Sequence, residues 1–122
     1  MKTPIQIIDE TVEFYSQDPA GRRAQAYHTC VYYDEETGNK CAVGRCCVDS
    51  EVESPNFPED SVNIGGEPNM AVLSKLKPEY QGHPWQLWAA LQRLHDCTQC
   101  WSDTGLSKHG KALVENMKNE WS

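Results

Sequence analysis

Basic side chains are scarce in this sequence: eleven Lys and Arg stand against eighteen Asp and Glu, for a formal net charge of -7. The average field repels phosphate backbones, and nonspecific nucleic-acid binding would need a local basic patch that the sequence lacks. Long apolar runs are missing too. The richest stretch, 85–94, is interrupted by Gln86, Gln92 and Arg93, well short of the roughly eighteen apolar residues of a membrane-spanning helix. Near the start, Gln6 interrupts the apolar positions and Asp9 and Glu10 stop them, so no export signal and no membrane role are expected. There is no serine elbow and no paired-carboxylate arrangement. Gly65 and Gly66 precede no Lys-Ser/Thr pair and sit among acids that would repel phosphate. Internal repeats and low-complexity segments are likewise lacking. What is present is 122 residues, 39% of them hydrophobic, enough for one folded soluble domain with one core.

Apolar residues Ile5, Ile8, Val12 and Tyr15 recur at three- to four-residue spacing, predicting an amphipathic helix over about 4–17 with Thr3 as its N-cap. Two β-rich runs, 28–33 and 40–48, flank a polar turn containing Gly38 and Asn39, which predicts a hairpin over about 28–48. Gly44, inside the second run, marks a bulge or a place of close approach. Residues 49–67 carry six acids and no Lys or Arg, together with Pro55 and Pro58, and read as an exposed, mobile loop. A short helix is expected over 69–76. The main helix is expected over about 84–96, with Trp85, Trp88, Leu91 and His95 on one stripe. A terminal helix over about 107–119 would start at Ser107 and bury Leu113, Val114 and Met117. The fold class is α+β: a hairpin or short antiparallel sheet packed against three or four helices.

The sharpest chemical feature is Cys97-x-x-Cys100, because two thiolates so spaced can converge on one tetrahedral zinc or form an exchangeable disulfide. A zinc site needs further ligands. The sequence offers Cys30 with Cys41, or Cys46 with Cys47, none at the familiar two-residue gap. Otherwise these thiols are small buried hydrophobes and the 97–100 pair closes a helix end. The pair does not follow a strand and open a helix, where a dipole would depress a thiol pKa, so redox chemistry ranks behind metal and packing. His95-Asp96 is similar to the dipeptide of metal-dependent phosphohydrolases, but His28, His83 and Asp103 do not supply that chemistry's remaining ligands in matching order. A helix-end imidazole beside a capping carboxylate accounts for the pair equally well. Trp101 and Trp121 lie near element ends and suit either packing or an interface.

The order of Cys30-Val-Tyr32, Gly38 to Cys41-Ala-Val-Gly44-Arg45, Tyr80 to Pro84, Leu91-Gln-Arg-Leu-His95-Asp96, Trp101 and Gly105-Leu-Ser107 resembles a family of small uncharacterised proteins of tailed bacteriophages and prophages. The match spans most of the chain outside the first helix and the acidic segment, and Cys46-Cys47 and Cys97-Cys100 are additional to it. The resemblance implies a phage accessory protein acting in the cytoplasm of a bacterial host and binding a host or anti-phage-defence protein. It implies no catalytic residues. Tyr32, Gly44, His95, Asp96 and Trp101 are then the candidate binding residues, either as the signature of the fold or as walls of a small pocket. The alternatives are a small-molecule domain, for a nucleotide, and a zinc-stabilised module in a protein otherwise free of cofactors.

Overall fold

The computed structural model describes residues 1–18, 21, 25–26, 29–30, 33, 37–54 and 70–121. Helix α1 runs Pro4–Ser16. Thr3 caps it in a reciprocal box: Thr3 Oγ1 accepts from the Gln6 amide and Gln6 Oε1 accepts from the Thr3 amide, while Pro4 supplies a preset φ at the first position. The buried face carries Ile7, Ile8, Thr11 and Tyr15, one helical stripe. Thr11 fits that apolar face because its hydroxyl donates back to the Ile7 carbonyl at 2.7 Å.

Strands β1 (Gln25–Ala26) and β2 (Thr29–Cys30) pair antiparallel, Gln25 with Cys30 and Ala26 with Thr29. Further along, Tyr33 bridges Lys40. The second β-run of the expected 28–48 hairpin, however, is not a strand. After Lys40 the chain turns into the short helix α2 (Ala42–Arg45), with Cys41 as N-cap and its sulfur accepting from the Gly44 amide at 3.3 Å. Gly44 therefore lies inside a helical turn, not at a strand bulge. The reason is burial on every side: Cys41, Ala42, Val43, Gly44, Cys46 and Cys47 are all buried, which no half-exposed strand with alternating faces allows. Coiling also carries the Arg45 guanidinium to Glu10 of α1, 2.8 Å away. Extended pairing resumes at 46–48, where Val48 donates to the Lys75 carbonyl and Lys77 to the Cys46 carbonyl, both at 2.9 Å.

The first residues of the expected acidic loop also differ. Asp49–Val52 forms helix α3, pinned by Val52, which is 2% exposed, and by the Lys40–Asp49 ion pair at 2.8 Å. The rest of that expectation, residues 55–67, lies outside the described residues. Helix α4 (Met70–Leu73) is shorter than 69–76. Helix α5 (Trp85–Asp96) buries Leu87, Trp88, Leu91, Gln92, Leu94, His95 and Asp96, and packs against α1 and α2. The chain then makes a tight turn and a two-residue ladder, β3 (Trp101–Ser102) with β4 (Gly105–Leu106), before helix α6 (Lys108–Trp121). Gly105 holds φ at +134°, a conformation that side chains disfavour, and its bare Cα faces Ser16 at the end of α1. Helices α1, α5 and α6 enclose the core, and Gly110, Val114 and Met117 form the buried stripe of α6. The class is α+β, mostly helical, with short antiparallel pairings.

Candidate metal centre

Helix α5 ends at Asp96, and Cys97 starts the turn that leads to Cys100. The turn is tied by its own backbone: Cys97 donates to the Arg93 carbonyl and Cys100 to the Cys97 carbonyl, each at 3.1 Å. The Cα atoms of Cys97 and Cys100 lie 5.3 Å apart and their sulfurs stand at disulfide distance. The first turn of α6 comes back over this segment. Ser107 donates from its amide to the Cys100 carbonyl at 2.8 Å and from its hydroxyl to the Gln99 carbonyl at 2.5 Å, while the same hydroxyl accepts from the Gly110 amide at 3.1 Å. Gly110 permits the approach, since a Cβ there would overlap the Cys100 carbonyl oxygen. The result places His109 beside both sulfurs: one ligating atom from each of Cys97, Cys100 and His109 lies within 4.8 Å of the others.

Two sulfurs and an imidazole are the donor set of zinc and similar borderline-soft cations, and three protein ligands leave a fourth position open. Exposure falls off across the group: His109 is exposed, Cys97 half-buried and Cys100 fully buried. The disulfide and the metal need the same sulfur electrons, so the three side chains support one or the other. His109 is absent from the sequence-based candidates. Its signal was the single histidine in the first turn after a Ser cap, next to a glycine, but the return of α6 onto Cys100 is a tertiary fact that spacing does not carry.

The other candidate thiols among the described residues do not join this group. Cys41, Cys46 and Cys47 are buried in the core, and no metal-ligand cluster among the described residues includes them. Burial pushes the Cys41 thiol well up, Cys46 to about 11 and Cys47 to about 12, as expected for packing residues. The Cys30 side chain lies outside the described residues, as do Tyr32 and His28.

Among the described binding candidates, Gly44, His95, Asp96 and Trp101 are all buried. His95 Nδ1 lies 2.8 Å from Asp96 Oδ1, and Gln92 Nε2 donates to the same oxygen at 2.9 Å. Tyr15 packs edge-on against His95 with ring centres 5.1 Å apart, and its hydroxyl donates to the Lys40 carbonyl at 2.5 Å. Asp96 Oδ2 and Gln92 Oε1 are buried and have no hydrogen-bond partner among the described residues. Trp101 donates its indole N–H to the Leu94 carbonyl at 2.9 Å, tying the ladder to α5. None of these four lines the described surface cavities. Of the residues considered for a phosphohydrolase site, His83 is bonded to the Lys2 carbonyl at 2.7 Å and Asp103 is exposed in the β3–β4 turn.

A second polar node sits on α1. Lys2, Tyr80 and Arg45 all donate to the Glu10 carboxylate. Burial pushes this carboxyl up, but the three bonds outweigh it and hold the group at about 2. Its partners span residues 2 to 80, so it clasps the first helix to α2 and the 78–80 turn. A shallow depression of about 360 Å³ beside it is lined by Lys2, Gln6, Asp9, Glu10 and Glu13. The aromatic cavity lined by Tyr80, His83, Trp85 and Trp88 is about 250 Å³, below the usual size of a small-molecule pocket.

No family model, curated protein or solved structure matches this chain. No helix among the described residues is long and apolar enough to cross a membrane.

Proposed function

We propose that this protein is a non-enzymatic binding module stapled by a zinc-class cation held on Cys97, Cys100 and His109, and that it acts by engaging a protein partner. The observation that carries the metal reading is the convergence of three borderline-soft donors within 4.8 Å, on a turn and helix end bonded to each other by backbone. The cation would tie the 97–100 turn to α6 in the way metal clips stabilise small domains. The partner reading rests on the phage-family resemblance, which directs it to a host or anti-phage-defence protein in the bacterial cytoplasm. The net charge of -7 and the acidic depression along α1 favour a basic face on that partner.

Cobalt(II) titration of reduced protein tests the metal reading, read by thiolate-to-cobalt charge-transfer absorption and by native mass spectrometry with zinc. One metal per chain is expected, with binding lost in Cys97→Ser and weakened in His109→Ala. A reduced chain that binds neither ion refutes the staple. Affinity capture from host lysate with wild type and His109→Ala in parallel tests the partner reading. A specific protein retained by the first and depleted by the second supports it, and no specific retention counts against it.

A further inference from the structure

We propose that Cys97 is a site of reversible thiolation and Cys100 its resolving thiol, so that a low-molecular-weight disulfide closes the 97–100 bridge and expels a metal held with His109. The expulsion step rests on the metal reading above; the exchange itself rests only on the two cysteines.

Three observations carry it. The Cα atoms of Cys97 and Cys100 lie 5.3 Å apart, within the span of a disulfide, so the second step needs no backbone movement. Their exposure is unequal. Cys97 is half-buried at the end of α5 and reachable from solvent, whereas Cys100 is 0% exposed beneath the Ser107–Gly110 turn. The remaining described thiols, Cys41, Cys46 and Cys47, are enclosed in the core, with burial favouring their unreactive protonated form. An incoming disulfide therefore finds one accessible sulfur among the described cysteines, with a second directly behind it.

The chemistry balances in two displacements. The Cys97 thiolate attacks one sulfur of the external disulfide, the S–S bond breaks, and the first thiolate leaves and takes a proton. The Cys100 thiolate then attacks Cys97 Sγ of the mixed disulfide, and the second external thiolate leaves and is protonated. Two electrons pass from the cysteines to the external disulfide, which becomes two thiols. No thiolate then remains at the site, and His109 alone does not retain the ion. A reducing thiol reverses both steps.

The test uses the reduced full chain and glutathione disulfide, with acid quenching, intact mass and peptide mapping. Wild type is expected to lose the mass of two hydrogens with the bridge mapped to Cys97 and Cys100. Cys100→Ser, and Cys100→Ala should the serine not fold, are expected to accumulate one glutathione on Cys97, and Cys97→Ser to carry none on Cys100. Equal adducts on Cys97 and Cys100 in the reciprocal variants, or no oxidation of wild type with no adduct on Cys100→Ala, overturn the proposal. The same reaction on cobalt-loaded protein separates the two readings. Loss of charge-transfer absorption in step with bridge formation supports expulsion, and retention of the absorption after the bridge has formed overturns it. A reduced chain that never binds cobalt but shows the exchange pattern sinks the metal reading and leaves the exchange standing.

Discussion

Replacing Gly110 by alanine sets two forces of opposite sign against each other. In an exposed helix interior the change stabilises by about 1 kcal/mol, because alanine restricts the unfolded chain and favours the helix. At this position the new methyl would overlap the Cys100 carbonyl oxygen and press on Leu106 Cδ2, 2.9 Å away. The leucine tip can swing aside, but the carbonyl cannot: it accepts from the Ser107 amide at 2.8 Å, and Ser107 is bonded in turn to Gln99. Relief requires α6 to lift, which costs one or two of those bonds at about 1 kcal/mol each plus overpacking of about 1–3 kcal/mol. The net expectation is a loss of about 1–4 kcal/mol, read as a lower urea midpoint at unchanged slope. His109 moves with α6, so cobalt affinity should fall at the same time. A Gly110→Ala protein that is more stable than wild type would show that α6 does not rest on Cys100, and the placement of His109 would go with it.

The Glu10 clasp makes the fold sensitive to acid. A carboxyl held at about 2 against an ordinary 4.5 contributes stability that is present above pH 4.5 and lost as pH falls toward 2. Discounted for its partial exposure the contribution is about 1–2 kcal/mol, so Glu10→Gln should flatten the stability profile between pH 4.5 and 2, and an unchanged profile refutes the clasp. Brief alkylation of reduced native protein, mapped by peptide, should modify Cys97 and spare Cys41, Cys46 and Cys47 until denaturant is added; early labelling of any of those three contradicts their enclosure. Trp101→Phe keeps most of the buried area but removes the indole donor to the Leu94 carbonyl, leaving that bond unmade at a cost of about 1–2 kcal/mol by chemical denaturation. No loss of stability in Trp101→Phe would remove the indole as the tie between ladder and α5.

The long helices were legible because their signals are local. Thr3, Pro4 and Gln6 spell an N-terminus within four residues, and the apolar spacing of α5 and α6 fixes their inward faces. The 40–48 run misled for a physical reason. Val, Cys and Gly in succession suit a strand by propensity, but enclosure from all sides and the reach of Arg45 to Glu10 decide for a turn of helix. Cys97 and Cys100 were visible as a pair from their spacing. Their third companion was not, since His109 is brought in by a glycine whose role is to be thin at one point of contact. For Trp101 the sequence allowed either packing or an interface, and it serves the interior because its indole finds a carbonyl there.

The thiol and imidazole centre draws all of its side chains from residues 97–109, one short stretch of chain. Closing so small a loop costs little entropy and takes on the order of 10–100 ns in a free chain. Its parts thus meet far sooner than those of the Glu10 clasp, which must join residue 10 to residue 80 across most of the molecule. By loop length alone, the C-terminal third closes ahead of the whole. An ion or a bridge captured there would act as a seed on which α6 settles against α5, ahead of the arrival of α1.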